Sequence, residues 1–146
     1  MSDLCLNLVT RQQVPFGVEP LALIWSLEHW VNTLDRVCGL RCLEESAFRQ
    51  RFILHFDAGR SEPDCVEVER HRFDNLIRVT HRVPPPGIHS LSADWWTEAE
   101  HPGVLFACRR MLLDENAYSP AMARNMFGVL RENIERLMER RSCDNK

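Results

Sequence analysis

The chain is short of most features that mark a specialised protein. It has no long uncharged apolar run among its 146 residues, so no segment is expected to span a membrane. It has no excess of one charge. A formal net charge of −3 leaves no clustered basic face, and nucleic acid is not expected as a partner. The start, MSDLCLNLVTRQQ, lacks the basic residues and apolar core of a secretory leader, which points to the cytoplasm. Six cysteines are present, but none fall in CxxC spacing. Free thiols are therefore expected rather than disulfides, and a zinc site is not indicated. Six histidines include no HxxxH pair, so no metal is expected. Internal repeats, low-complexity tracts and linkers are also lacking, which leaves one domain over residues 1–146. The composition, 45% hydrophobic and 27% charged, is that of a chain able to bury a real core.

What is there is a clear order of periodicities. Leu4, Leu6 and Leu8 alternate with polar or smaller residues, a period of two that predicts a half-buried strand over Leu4 to Val14. After Pro20, Leu23, Ile24, Leu27, Trp30 and Val31 recur at helical spacing, as one helix or two short ones. Phe48, Gln50, Phe52, Leu54 and Phe56 then share a strand face, and so do Val66, Val68, Arg70 and Arg72. Asp74-Asn75 makes a short turn, and LIRVTHRV, IHSLSADWWTEAE and VLFACRRMLL continue the strands, about six in succession. The last element is a helix of about 119–141, capped by Ser119 with Pro120 at its first position, followed by a frayed tail at 142–146. Met122, Met126, Val129, Leu130, Ile134, Leu137 and Met138 form its apolar stripe.

The stretch THRVPPPGIHSLSADWW carries an arginine to the tip of a strand, breaks at three prolines and returns with two tryptophans. Prolines end pairing at a strand edge. A strand stopping at a cavity mouth, with a return strand carrying an aromatic back to it, fits this pattern. By parity Ile77, Val79, His81 and Val83 make the more apolar face. Either a register change near the prolines turns Arg82 inward, or His81 is the inward group. Arg72 shares a face with Val66 and Val68, which are expected to point inward, although Arg70 and Arg72 would also suit a solvated rim. Trp95 shares a face with Leu91 and Ala93, as core or as cavity wall. Phe52, Leu54, Met122, Met126 and Asn133 face the same interior if the long helix closes it. His89 and Asp94 differ in parity and make a poor acid/base pair.

A strand, a short helical insert, six antiparallel strands and a long final helix resemble the α+β helix-grip (START-like) fold. In that fold a curved seven-stranded antiparallel sheet wraps around the C-terminal helix. The residues narrow the likeness. Pro15-Phe16, the insert SLEHW ending at Trp30, His71-Arg72, His81-Arg82-Val83 followed by Trp95, and RENIERL (Arg131 to Leu137) are similar to the single-domain aromatase/cyclases of bacterial aromatic polyketide pathways, the tetracenomycin type. Val31 stands where that family has proline, and Val37 near where it has a pocket tyrosine. The only tyrosine is Tyr118.

The resemblance implies an enzyme that binds a poly-β-ketone linked to the acyl carrier protein of a type II polyketide synthase. It directs aldol cyclisation and dehydration to an aromatic ring, without a cofactor. Arg72 and Arg82 are then the cavity arginines, with His81 or water moving the proton. Trp30, Phe52, Leu54, Arg70, Trp95, Met122, Met126 and Asn133 hold the substrate. Arg109, Arg110 and Arg124 would contribute to an acceptor for the acidic carrier, or form a plain solvated surface. The competing reading is a non-catalytic carrier of a lipid, quinone or aromatic metabolite, with few charges inside its cavity.

Overall fold

A computed structural model of the chain describes residues 3–57, 61 and 64–139. The elements run β1 (Asp3–Gln13), α1 (Pro20–Trp25), α2 (Leu27–Thr33), β2 (Val37–Glu45), β3 (Arg49–Phe56), β4 (Asp64–Arg72), β5 (Leu76–Val83), β6 (Ile88–Glu98), β7 (His101–Asp114) and α3 (Pro120–Met138). The strands form one antiparallel sheet in the order β1-β7-β6-β5-β4-β3-β2. This is the helix-grip architecture: a curved seven-stranded sheet with a long helix against its concave face.

Local chemistry explains the boundaries. The apolar insert is two helices because Ser26 interrupts it in an extended conformation. Its backbone N–H donates to the Ala22 carbonyl to close α1, and its side chain accepts from the His29 amide to start α2. Pro20 opens α1 behind a Glu19 cap, and Pro120 opens α3 behind the Ser119 cap. α3 ends at Met138 rather than near 141, with Glu139 capping in an extended conformation. The tail lies outside the described residues. A Cβ added at Gly128 would meet nothing within 4 Å among the described residues, so that mid-helix glycine serves no close approach to them.

Bulges bend the sheet where β2 meets β3, β4 meets β5, and β6 meets β7. The one between β4 and β5 matters most. Val68 pairs with His81 and Glu67 with Val83, so Arg82 is the extra residue. The register change anticipated near the prolines is real, but it turns Val83 outward and leaves Arg82 outside.

The core is split in two. One cluster gathers α1, the middle of the sheet and the end of α3 around Ile24, Ile77, Trp95 and Leu137. The other gathers Ile88, Leu91, Met111 and Leu113 near the start of α3. Among the described residues no helix is long and apolar enough to cross a membrane, and the five described cysteines are free.

Candidate functional site

Between the two clusters lies a cavity of about 820 Å³, walled by the concave face of the sheet and roofed by α3. That is ample for a small aromatic ligand. Alternation along the strands decides what faces it. β3 contributes Phe52 and Leu54, β4 Val66, Val68 and Arg70, β5 Val79 and His81, β6 Leu91, Ala93 and Trp95, and β7 Arg109 and Met111. Trp95, 2% exposed, meets the edge of Trp30 at 6.5 Å and 88°. Trp30 is itself fixed by its indole N–H, which donates to the Ile24 carbonyl at 2.9 Å. Met126 and Asn133 of α3 line the opposite wall, and Val37 lines it from β2.

Two guanidinium groups reach this interior, and they are in different states. Arg70 is saturated. Its Nε and Nη2 donate to Gln50 Oε1 (2.8 and 2.6 Å), Nη1 to the Ile24 carbonyl (2.7 Å), and Nη2 also to the Trp25 carbonyl (2.9 Å). These carbonyls are the end of α1, where the helix dipole favours a cation. Trp25, Phe52 and Trp30 pack around the same group at 5.1, 5.3 and 5.9 Å. Burial pushes the Arg70 pKa down to about 9, with Glu45 opposing the shift. Glu45 connects through Gln50, whose Nε2 donates to it at 3.1 Å. Arg70 is thus a strut that ties the helical insert to the sheet.

Arg109 is uncommitted. Its guanidinium lies 5.9 Å from the Trp95 ring, and it has no hydrogen-bonded or ionic partner among the described residues. Burial pushes its pKa down to about 10, so it remains a cation at neutral pH. His81 shares the cavity wall, and its Nδ1 is buried without a hydrogen-bond partner. Burial first, and then the Arg109 charge, push the His81 pKa down to about 3 against a hydrogen bond to the Leu91 backbone. The ring is therefore neutral under physiological conditions.

The other expected residues fall elsewhere. Arg82 faces the outer surface between Glu67 (3.6 Å) and Glu69 (3.5 Å), because the bulge places it there. Arg72 is on the inner face, but it lies past the cavity with its guanidinium 5.9 Å from the Trp25 ring. Met122, in the first turn of α3, is 50% exposed and does not line the cavity. Asp94 is on the outer face with Arg78 (3.0 Å) and Arg110 (3.4 Å), away from any partnership with exposed His89. Of the three arginines offered as a carrier acceptor, Arg110 and Arg124 are exposed, whereas Arg109 points inward. The signal for Arg109 was in the sequence. Leu105, Ala107, Arg109, Met111 and Leu113 alternate with a period of two, and four of the five are core types.

Two rims frame the cavity. At one, Tyr118 Oη donates to the Pro86 carbonyl at 3.3 Å, joining the loop before α3 to the proline loop. Gly87, at φ +82°, lets that loop approach, and a Cβ there would fall 2.8 Å from the Tyr118 ring. At the other, Asp35, Arg36, Asp57, Asp64, Glu132 and Arg136 make a charged edge, with Arg136 paired to Asp35 at 3.2 Å.

No family model matches the chain, and no curated protein sequence does. Solved structures do match in shape. The di-domain ARO/CYC StfQ from the steffimycin biosynthetic pathway superposes with a TM-score of 0.74 at 15% identity, over 92% of this chain. The chain spans about half of StfQ, 50% of its length. The Zhui aromatase/cyclase from Streptomyces sp. R1128 gives 0.66 at 16% identity, over 91% of this chain and 88% of that one. Norcoclaurine synthase from Thalictrum flavum gives 0.61 at 12% identity, covering 93% and 87%. Likeness at these identities establishes the fold: the chain is a helix-grip domain. Within that class its own cavity residues, above all Arg109, must carry any argument about activity.

Proposed function

We propose that the chain is a polyketide aromatase/cyclase that folds a poly-β-ketone in its cavity and directs aldol cyclisation and dehydration to an aromatic ring. The observation that carries this reading is the guanidinium of Arg109, which has no hydrogen-bonded or ionic partner among the described residues and faces the cavity beside the aromatic wall of Trp95. The aromatase/cyclase neighbours in shape support it. In an aldol step, a carbon between two carbonyls loses a proton and forms a bond to a distant carbonyl carbon. The oxygen of that carbonyl gains the negative charge and takes up a proton to become a hydroxyl. The hydroxyl and a second proton, from the adjacent carbon, then leave as water with formation of a C=C bond. Enolisation of the remaining ring ketones makes the ring aromatic. A fixed cation near the developing oxyanion lowers that barrier, and confinement against Trp95 and Trp30 selects which carbons meet. Arg109 supplies the cation. His81, neutral to about pH 3, is too weak a base to hold the abstracted proton at neutral pH, so it shapes the wall beside Arg109 while water carries the proton. In this reading the poly-β-ketone arrives as a thioester on the acyl carrier protein of a type II polyketide synthase. No cofactor takes part, and the reaction is cytoplasmic.

A second reading is a carrier of an aromatic metabolite or quinone. It is favoured by the saturation of Arg70 and the outward position of Arg82, which leave Arg109 as the one free interior cation among the described residues. The test is a product profile from a reconstituted minimal polyketide synthase. Wild-type protein is expected to convert spontaneous shunt products into one aromatic compound. Arg109→Gln is expected to lose at least tenfold of that product, and Arg82→Ala to keep it. An unchanged profile with wild-type protein overturns the enzyme reading in favour of the carrier.

A further inference from the structure

We propose that the cavity takes its ligand as an oxyanion, the ionised oxygen of a planar enol or phenol, with Arg109 as its counter-charge. This deepens the cyclase reading and rests on it for the identity of the cavity.

The argument starts from charge balance. A guanidinium withdrawn from water is stable only if something replaces its hydration. For Arg70 the protein supplies two carbonyls and Gln50. For Arg109 the described residues supply the Trp95 ring alone. The groups around it leave the charge standing. β6 presents Ala93 and Trp95, β5 presents the neutral His81, and β4 presents the committed Arg70. The described carboxylates that line the cavity, Asp35, Asp57, Asp64, Glu132, Glu135 and Glu139, lie with Arg36 and Arg136 at the charged edge, and no ion pair joins any of them to Arg109. Arg109 therefore stands without a negative partner among the described residues, beside flat apolar surface. A ligand combining a conjugated ring with one ionised oxygen satisfies both conditions. A neutral lipid satisfies neither.

A cation held at low dielectric favours the ionised form of an acid next to it. A phenol, which ordinarily ionises near pH 10 as tyrosine does, is expected to ionise about two units lower when bound, roughly a hundred-fold shift. The probe is 2-naphthol, whose naphtholate has its own red-shifted absorption band, titrated with full-length protein across pH 6–10. A second arm uses 2-naphthoate, which carries the charge as a carboxylate on the same ring. Wild-type protein should show the naphtholate band at a pH where free naphthol shows none. Arg109→Lys, which keeps the charge, should retain it, and Arg109→Gln should bind naphthol in its neutral form. Binding of neutral naphthol by wild-type protein overturns the inference while leaving the cyclase reading intact. Binding of naphthoate alone, lost in Arg109→Gln, supports an oxyanion site but counts against the enolate chemistry of the cyclase. Failure to bind either probe removes both.

Discussion

At the scale of single residues, position relative to the bulge in β5 separates two neighbours completely. His81 precedes it and points into the cavity. Arg82 is the extra residue and lies outside, in an exposed ion-pair network with Glu67 and Glu69. Such exposed pairs contribute little to stability. His81 has a measurable consequence instead. Its folded pKa of about 3 is below the unfolded value of 6.5, so between those values the unfolded chain binds the extra proton. Stability then rises with pH across that window and is lost on acidification, by up to about 1.4 kcal/mol per pH unit from this one group. Chemical denaturation from pH 7.5 to 4.5 should show this slope, and His81→Leu should flatten it. A variant with the same acid limb as the wild type would assign the slope to other groups.

At the scale of elements, the helical insert hangs on one side chain. Arg70 takes the last carbonyls of α1 and stacks beneath Trp25 and Trp30, while Gln50 holds the same carbonyl at Trp25 and reaches Glu45. Arg70→Met would leave the buried Gln50 Oε1 without its donor, at about 1–3 kcal/mol. It would also strip one of two donors from the Ile24 and Trp25 carbonyls, which keep Trp30 Nε1 and Gln50 Nε2. A loss of about 3 kcal/mol in urea denaturation is the expected result. Arg70→Lys should recover less than half of it, since an ammonium cannot fork to three acceptors. Stability equal to wild type in Arg70→Met would show that the insert docks by apolar packing alone. The elements themselves were legible in the sequence because their periods are regular: the alternation of Phe52, Leu54 and Phe56, the paired valines of β4, and the Ser119-Pro120 start of α3. The bulge was not, because it depends on how the β5 backbone accommodates the curvature of the sheet against β4. Parity therefore placed His81 inward but left Arg82 open. Arg109 was misplaced for a different reason. The Arg109-Arg110 pair reads as one charged surface patch, whereas on a strand adjacent residues face opposite sides. Arg70 lines the cavity, but its role as a strut is not legible in the sequence, because its partners in α1 lie 45 residues or more away.

At the scale of the whole molecule, the cavity works against the core. A volume of about 820 Å³ divides the apolar interior into two clusters, and the side chains that line it forgo the contacts a filled core would give them. Ala93 and Val66 both line the void, so larger side chains at either position would fill part of it. Under the proposed function, its retention sets binding against stability. Ala93 is the point at which to measure the balance, because its methyl group faces the cavity on the strand that carries Trp95 and pairs directly with Arg109. Ala93→Ile adds three carbons on a strand that favours β-branched residues, each contributing at most about 0.8 kcal/mol. A net gain of about 1 kcal/mol is expected after some strain, together with at least a tenfold loss of 2-naphthol affinity. Denaturation and binding measured on the same preparation test the two effects together. A variant that loses both stability and binding would mean that Ala93 packs against its neighbours rather than facing open volume. A variant that gains stability but keeps its affinity would place the ligand elsewhere in the cavity, away from Arg109.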